Sequence, residues 1–128
     1  MKIAALVASI LLGLVFLLGS VPFLLNIVPD MPKPPEGSAQ AMFMGAFAPT
    51  GYLHFVKVFE LIGAILVIIP KTRNFGLLVL GPIILNILAF TVLIMKGEGL
   101  GNPLVILAVV TSLFLLWDAR QKFAALLN

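Results

Sequence analysis

The chain has no cysteine, which excludes disulfides, thiol redox chemistry and thiolate metal sites within it. Charge is scarce: 10% of the 128 residues are Asp, Glu, Lys or Arg, where a soluble domain carries about a quarter. There is a single histidine, His54. One histidine without thiolates is a poor haem or metal set, because such sites draw on several strong ligands. No Ser–His–Asp arrangement, no close carboxylate pair and no metal-spaced cluster is visible. An enzymatic role is left without identifiable machinery, and no metal or cofactor is expected in this chain.

What the sequence does contain is apolar surface. Hydrophobic residues make up 62% of it, more than a chain of this length can hide from water, since small domains leave much of their surface exposed. Lipid is the solvent that resolves this. Four apolar runs occupy residues 3–28, 51–69, 75–95 and 102–118. A helix needs about 20 residues to cross about 30 Å of hydrocarbon; the first three runs meet that length and the fourth is short. The expectation is an all-α, single-domain, integral membrane four-helix bundle. The first run is longer than the apolar core of a signal peptide and no A-x-A site closes it, so it reads as a retained span.

The basic residues punctuate the apolar runs instead of forming a nucleic-acid footprint, so no nucleic-acid partner is expected. Lys2, Lys71, Arg73, Arg120 and Lys122 fall on one side of four crossings, and Lys33 and Lys96 on the other. The richer side is cytoplasmic by the positive-inside rule, which puts both termini inside and the 29–49 and 96–103 loops outside. The outer 29–49 loop is unusual. Pro29 to Pro35 reads as a stiff, extended segment, after which Ser38 is placed to cap a short helix over 39–48 carrying Met42, Phe43, Met44 and Phe47. A segment so apolar belongs in the outer interface, as an anchor or as a lid over the bundle mouth. The 96–103 loop is glycine-rich but lacks the flanking strand and helix of a phosphate-binding loop.

The second run carries most of the buried polarity. His54, Lys57 and Glu60 recur every three residues and form a stripe on one side of a helix. At 1.5 Å per residue from Gly51, Glu60 lies about 13 Å deep, near the bilayer centre. An ionised residue there costs about 3 kcal/mol on insertion scales, and Lys57, one turn away, is the obvious counter-ion. Asn86 in the third run lies at similar depth, about 16 Å from Phe75, and Ser20, Thr111 and Ser112 add hydroxyls. Two readings are open: a structural ion pair with interhelical hydrogen bonds, or an intramembrane site of His54, Lys57, Glu60 and Asn86 that handles protons or a lipophilic ligand. Ala5, Ser9 and Gly13, and Ala108 and Ser112, form small-residue faces for close packing. Gly81-Pro82 should perturb the third helix, because Pro82 cannot donate to the carbonyl of Leu78.

Leu11-Leu-Gly-Leu-Val-Phe16, the proline-rich outer loop, Tyr52 through Lys57, Glu60 with Gly63, and Gly81-Pro-Ile-Ile-Leu-Asn-Ile87 together resemble the DoxX family of small bacterial membrane proteins. The resemblance runs from about Ile3 to Phe123. It implies a multi-pass protein of the bacterial inner membrane, acting as an accessory component of a membrane redox or transport assembly, with quinone as a lipophilic ligand and oxidoreductase subunits or further copies of itself as partners. The family pattern maps onto Lys57, Glu60, Pro82 and Asn86. Val21 stands where relatives often carry Asn, and Thr91 where they often carry His.

Overall fold

In the computed structural model the described residues are 2–25, 35–47, 49–97 and 100–127. The expected extended segment over 29–34 and the end of the first run at 26–28 lie outside them. Six α-helices follow in order: α1 Lys2–Leu24, α2 Ala39–Phe47, α3 Tyr52–Ile68, α4 Arg73–Ala89, α5 Pro103–Asp118 and α6 Arg120–Ala124. A π-helical turn, Phe90–Ile94, extends α4. No strand occurs among the described residues.

Two helices are long and apolar enough to cross a membrane: residues 3–24, and α4 with its π turn. The remaining two apolar helices are shorter than the runs that encode them. At 1.5 Å per residue, α3 with 17 residues reaches about 26 Å and α5 with 16 about 24 Å, because Gly51 and the Asn102-Pro103 pair fix their starts. Gly51 holds φ at +83°, a left-handed conformation that glycine adopts without a Cβ penalty. Asn102 caps α5 by accepting a hydrogen bond from the Leu104 N–H at 2.9 Å, with Pro103 at the first helical position, where its missing N–H is not needed.

α1 packs against α3 and α5, and α3 against α4; the α4–α5 seam closing the ring is looser. Leu12, Val67, Leu80 and Leu115 meet in the interior, each essentially inaccessible. The outer surface is equally apolar, with Leu18, Leu85, Leu93 and Leu113 exposed at 60% or more. A folded surface this rich in large aliphatic side chains is suited to hydrocarbon.

Small residues set the closest approaches, as expected for Ala5, Ser9, Gly13, Ala108 and Ser112, all of which are buried. Gly13 lies under the Ile68 side chain, and a Cβ on Gly76 would stand 2.5 Å from the Val67 backbone nitrogen. The turn joining α3 to α4 is tied back by Thr72, whose hydroxyl donates to the Leu66 carbonyl at 2.8 Å. α4 continues through Pro82. The departure from α-helical bonding comes later, at Phe90–Ile94, where the Met95 N–H reaches back five residues to the Phe90 carbonyl.

The short helix expected over 39–48 is present as α2, and Ser38 caps it by accepting from the Ala41 N–H at 3.1 Å. α2 docks through Phe43, whose ring meets Phe90 edge-on at 4.8 Å, and Phe47 stacks on Tyr52 at 4.9 Å. This aromatic chain fixes α2 over the junction of α4 and its π turn.

Candidate functional site

Glu60 sits on the inward side of α3, between Phe59 and Leu61, and its side chain is 5% exposed. The Lys57 ammonium stands 3.2 Å from its Oε2. Lys57 is also 5.7 Å from the centroid of the Phe23 ring on α1, near enough for a cation–π contribution. On the α1 side, Gly19 leaves room for the carboxylate: a Cβ there would lie 3.9 Å from Oε2. The charge pair is thus clamped between α1 and α3.

The pair opens onto a chamber of about 460 Å³, within the range of about 300–1,000 Å³ typical of small-molecule sites. All four long helices contribute to its wall: Phe16 and Gly19 from α1, Lys57 and Glu60 from α3, Ile84 and Leu88 from α4, and Val105 and Ala108 from α5. Asn102 stands at its rim. The Asn102 Oδ1 is engaged in capping α5, which leaves the amide N–H groups as donors. The chamber is therefore a hydrocarbon-lined space with one ammonium, one carboxylate and one amide at the end of the bundle that carries α2.

A second, smaller cavity of about 220 Å³ runs along the α4–α5 seam. Ile84, Leu88 and Val109 line both spaces. Three aliphatic side chains are what separate the polar chamber from the exposed groove beside Leu85 and Leu113.

The four residues singled out in the sequence are not brought together. Lys57 and Glu60 share the chamber. His54 is exposed and packs its ring against Phe23 at 5.0 Å, one turn above Lys57; it does not line the chamber. Asn86 is exposed on the outer face of α4, while its neighbours Ile84, Ile87 and Leu88 face inward to the chamber. The hydroxyls expected to complete the pair are used locally. Thr111 donates to the Leu107 carbonyl at 2.6 Å, Ser112 to Val109 at 2.9 Å, and Thr91 to Ile87 at 2.8 Å. Ser20 is fully buried, and its hydroxyl has no hydrogen-bond partner. Among the described residues no three His, Asp or Glu side chains converge as a metal set. Asn102 and Gly19 are the wall residues that the polar stripe does not announce. The Asn-Pro start of a helix marks the first, and the bulk of a carboxylate one helix away demands the second.

Among known proteins, the chain is similar to the uncharacterized protein YwoB of Bacillus subtilis, 33% identical over 92 residues, covering 69% of this chain and 58% of the relative. The chain thus spans 58% of the length of the curated relative it matches. No model of a known protein family matches, and no solved structure does.

Proposed function

We propose that this chain is a DoxX-like, multi-pass protein of the bacterial inner membrane that binds a lipophilic ligand with an uncharged polar head in the chamber among α1, α3, α4 and α5. Both termini are cytoplasmic in this reading, and α3 and α5 complete their crossings with flanking loop residues. The observation that carries it is the Lys57–Glu60 pair at the wall of an otherwise hydrocarbon-lined space. An ion pair kept only for stability gains nothing from an adjoining void, since an unfilled space forfeits packing contacts.

The charge balance selects the ligand. Lys57 and Glu60 neutralise each other, so an anionic or cationic head would add an uncompensated charge in a medium of low dielectric. A hydroxyl or carbonyl head satisfies Lys57 and Asn102 without that cost. Quinone, implied by the family resemblance, is one such ligand; a monoacylglycerol is another. The α4–α5 groove gives the hydrocarbon chain a lateral route from the bilayer past Leu88 and Val109.

Photo-crosslinking tests this. The purified chain is exposed to diazirine-bearing monoacylglycerol and to diazirine-bearing oleate of the same chain length, and labelled peptides are mapped. The expected result is labelling of α4 and α5 by the neutral probe, with oleate labelling far less. In Glu60→Gln, Lys57 is left uncompensated and the preference should turn toward oleate. Equal labelling by both probes, or no labelling of the chamber, overturns the proposal.

A second reading, an accessory component of a membrane redox or transport assembly, is favoured by Asn86. An amide on the outer face of α4 near mid-bilayer gains from a partner on another helix. Asn86→Leu should then abolish co-purification of a partner or self-association while leaving ligand labelling unchanged.

A further inference from the structure

At the opposite end of the molecule from the chamber, the α3–α4 turn and the junction of α5 with α6 enclose a cavity of about 480 Å³. Its wall carries three cations, Arg73, Arg120 and Lys122, against a single carboxylate, Asp118. None of the three is within ion-pair distance of Asp118, because the one ion pair among the described residues is Lys57–Glu60. The Arg73 Nε is buried and has no hydrogen-bond partner. A buried guanidinium N–H without an acceptor is costly and is the kind of orphan that marks a missing ligand.

The rest of the wall shows what kind of ligand. Arg120 is held in place: its Nη1 donates to the Trp117 carbonyl at 2.8 Å, and its guanidinium lies 4.4 Å from the Trp117 ring centroid. That arrangement leaves the remaining donors of a preorganised fork free for a second acceptor. Leu115 and the half-exposed Trp117 add apolar surface beside the cations. Tryptophan with arginine is the pairing found at the level of lipid head groups.

We infer that this cavity binds the phosphate of an anionic glycerophospholipid, with the Arg73 Nε and the free donors of Arg120 and Lys122 on the phosphate oxygens and Trp117 and Leu115 against the upper part of the acyl chains. Arginine suits this ligand because its planar fork matches phosphate oxygens in pairs. Basic pockets between helices at the cytoplasmic side of membrane proteins bind such head groups, and the lysine and arginine count puts this end in the cytoplasm. The inference stands on different residues from those of the chamber and does not depend on what the chamber holds.

The test uses the full chain purified in mild detergent, titrated in parallel with phosphatidylglycerol, phosphatidylcholine and inorganic phosphate. Thermal unfolding and native mass spectrometry are the readouts. Phosphatidylglycerol should raise the Tm and remain as a bound adduct, and phosphatidylcholine should do neither. Arg73→Gln should weaken phosphatidylglycerol binding about tenfold, the loss of one charge-assisted contact. Because Arg73 is partly buried, the exposed pair Arg120→Gln with Lys122→Gln serves as a second variant and should weaken binding in the same direction. Equal retention of the two lipids, or wild-type affinity in both variants, overturns the inference. Inorganic phosphate matching phosphatidylglycerol would assign the cavity to a free anion and overturn the lipid source.

Discussion

Lys57 and Glu60 are partners of unequal exposure: the ammonium side chain is 26% accessible, while the carboxylate 3.2 Å away is 5% accessible. The inequality gives the two halves of the pair different worth. Removing Lys57 strands a buried anion between α1 and α3. Removing the charge of Glu60 leaves a cation that still has the Phe23 ring and the open chamber.

Lys57→Ala should therefore cost more stability than Glu60→Gln. Breaking a buried pair from one side costs about 3 kcal/mol, and Lys57→Ala should approach that value. Glu60→Gln should cost about 1 kcal/mol, the scale of one hydrogen bond. The double change to methionine should sit near the wild type, since apolar replacement of a buried pair is often neutral. Thermal unfolding of the four proteins in one detergent checks the order; equal losses in both single variants would contradict it.

Three glycines should respond differently to alanine. At Gly76 the new Cβ meets the Val67 backbone, which cannot move aside, so Gly76→Ala should cost about 1–3 kcal/mol. At Gly13 the obstacle is the end of the Ile68 side chain, which can change rotamer, and the loss should be smaller. Nothing surrounds Gly81 within 4 Å, and Gly81→Ala should be tolerated or slightly stabilising, because alanine favours helix over glycine by about 1 kcal/mol. Unfolding temperatures measured side by side rank them.

Ser20→Ala should be neutral or stabilising. Its hydroxyl is buried without a partner, so the variant removes an unsatisfied group and loses no hydrogen bond. A clear destabilisation would mean that a bridging water satisfies Ser20.

The absence of cysteine makes the topology easy to test. Single cysteines at Gly45 in α2 and Gln121 in α6 would be the only thiols in the chain. Gly45→Cys should react with an impermeant maleimide on intact cells, and Gln121→Cys only after permeabilisation. The reverse pattern would overturn the inward placement of both termini.

The burial of Glu60, its pairing with Lys57, the Ser38 cap and the small-residue contacts are legible in the sequence because each depends on spacing within one helix. The rotation of α4 is not. That helix is apolar nearly all round, so its pattern does not mark an inner face, and Asn86, its one polar residue at mid-depth, lies on the outer side. The chamber is hidden for a related reason. It arises where α4 and α5 pack less closely than the other pairs, which depends on how side chains from different helices meet. His54 follows the three-residue stripe in sequence, yet drifts off the inner face, because three residues fall short of a full turn by about 60°.

The π turn at Phe90–Ile94 has a consequence for the length of the chain. A wide turn holds one residue more than an α-helix needs for the same rise, as if a single residue had been inserted there and absorbed in place. Deleting one residue from it would let α4 close into regular helix and swing everything downstream by about 100°. Phe90 precedes the change and would keep its contact with Phe43, but the loop carrying Asn102 would be pulled off the chamber rim. The surplus residue thus works as a shim, and the alignment of the chamber with its rim depends on how many residues this stretch contains more than on which ones they are.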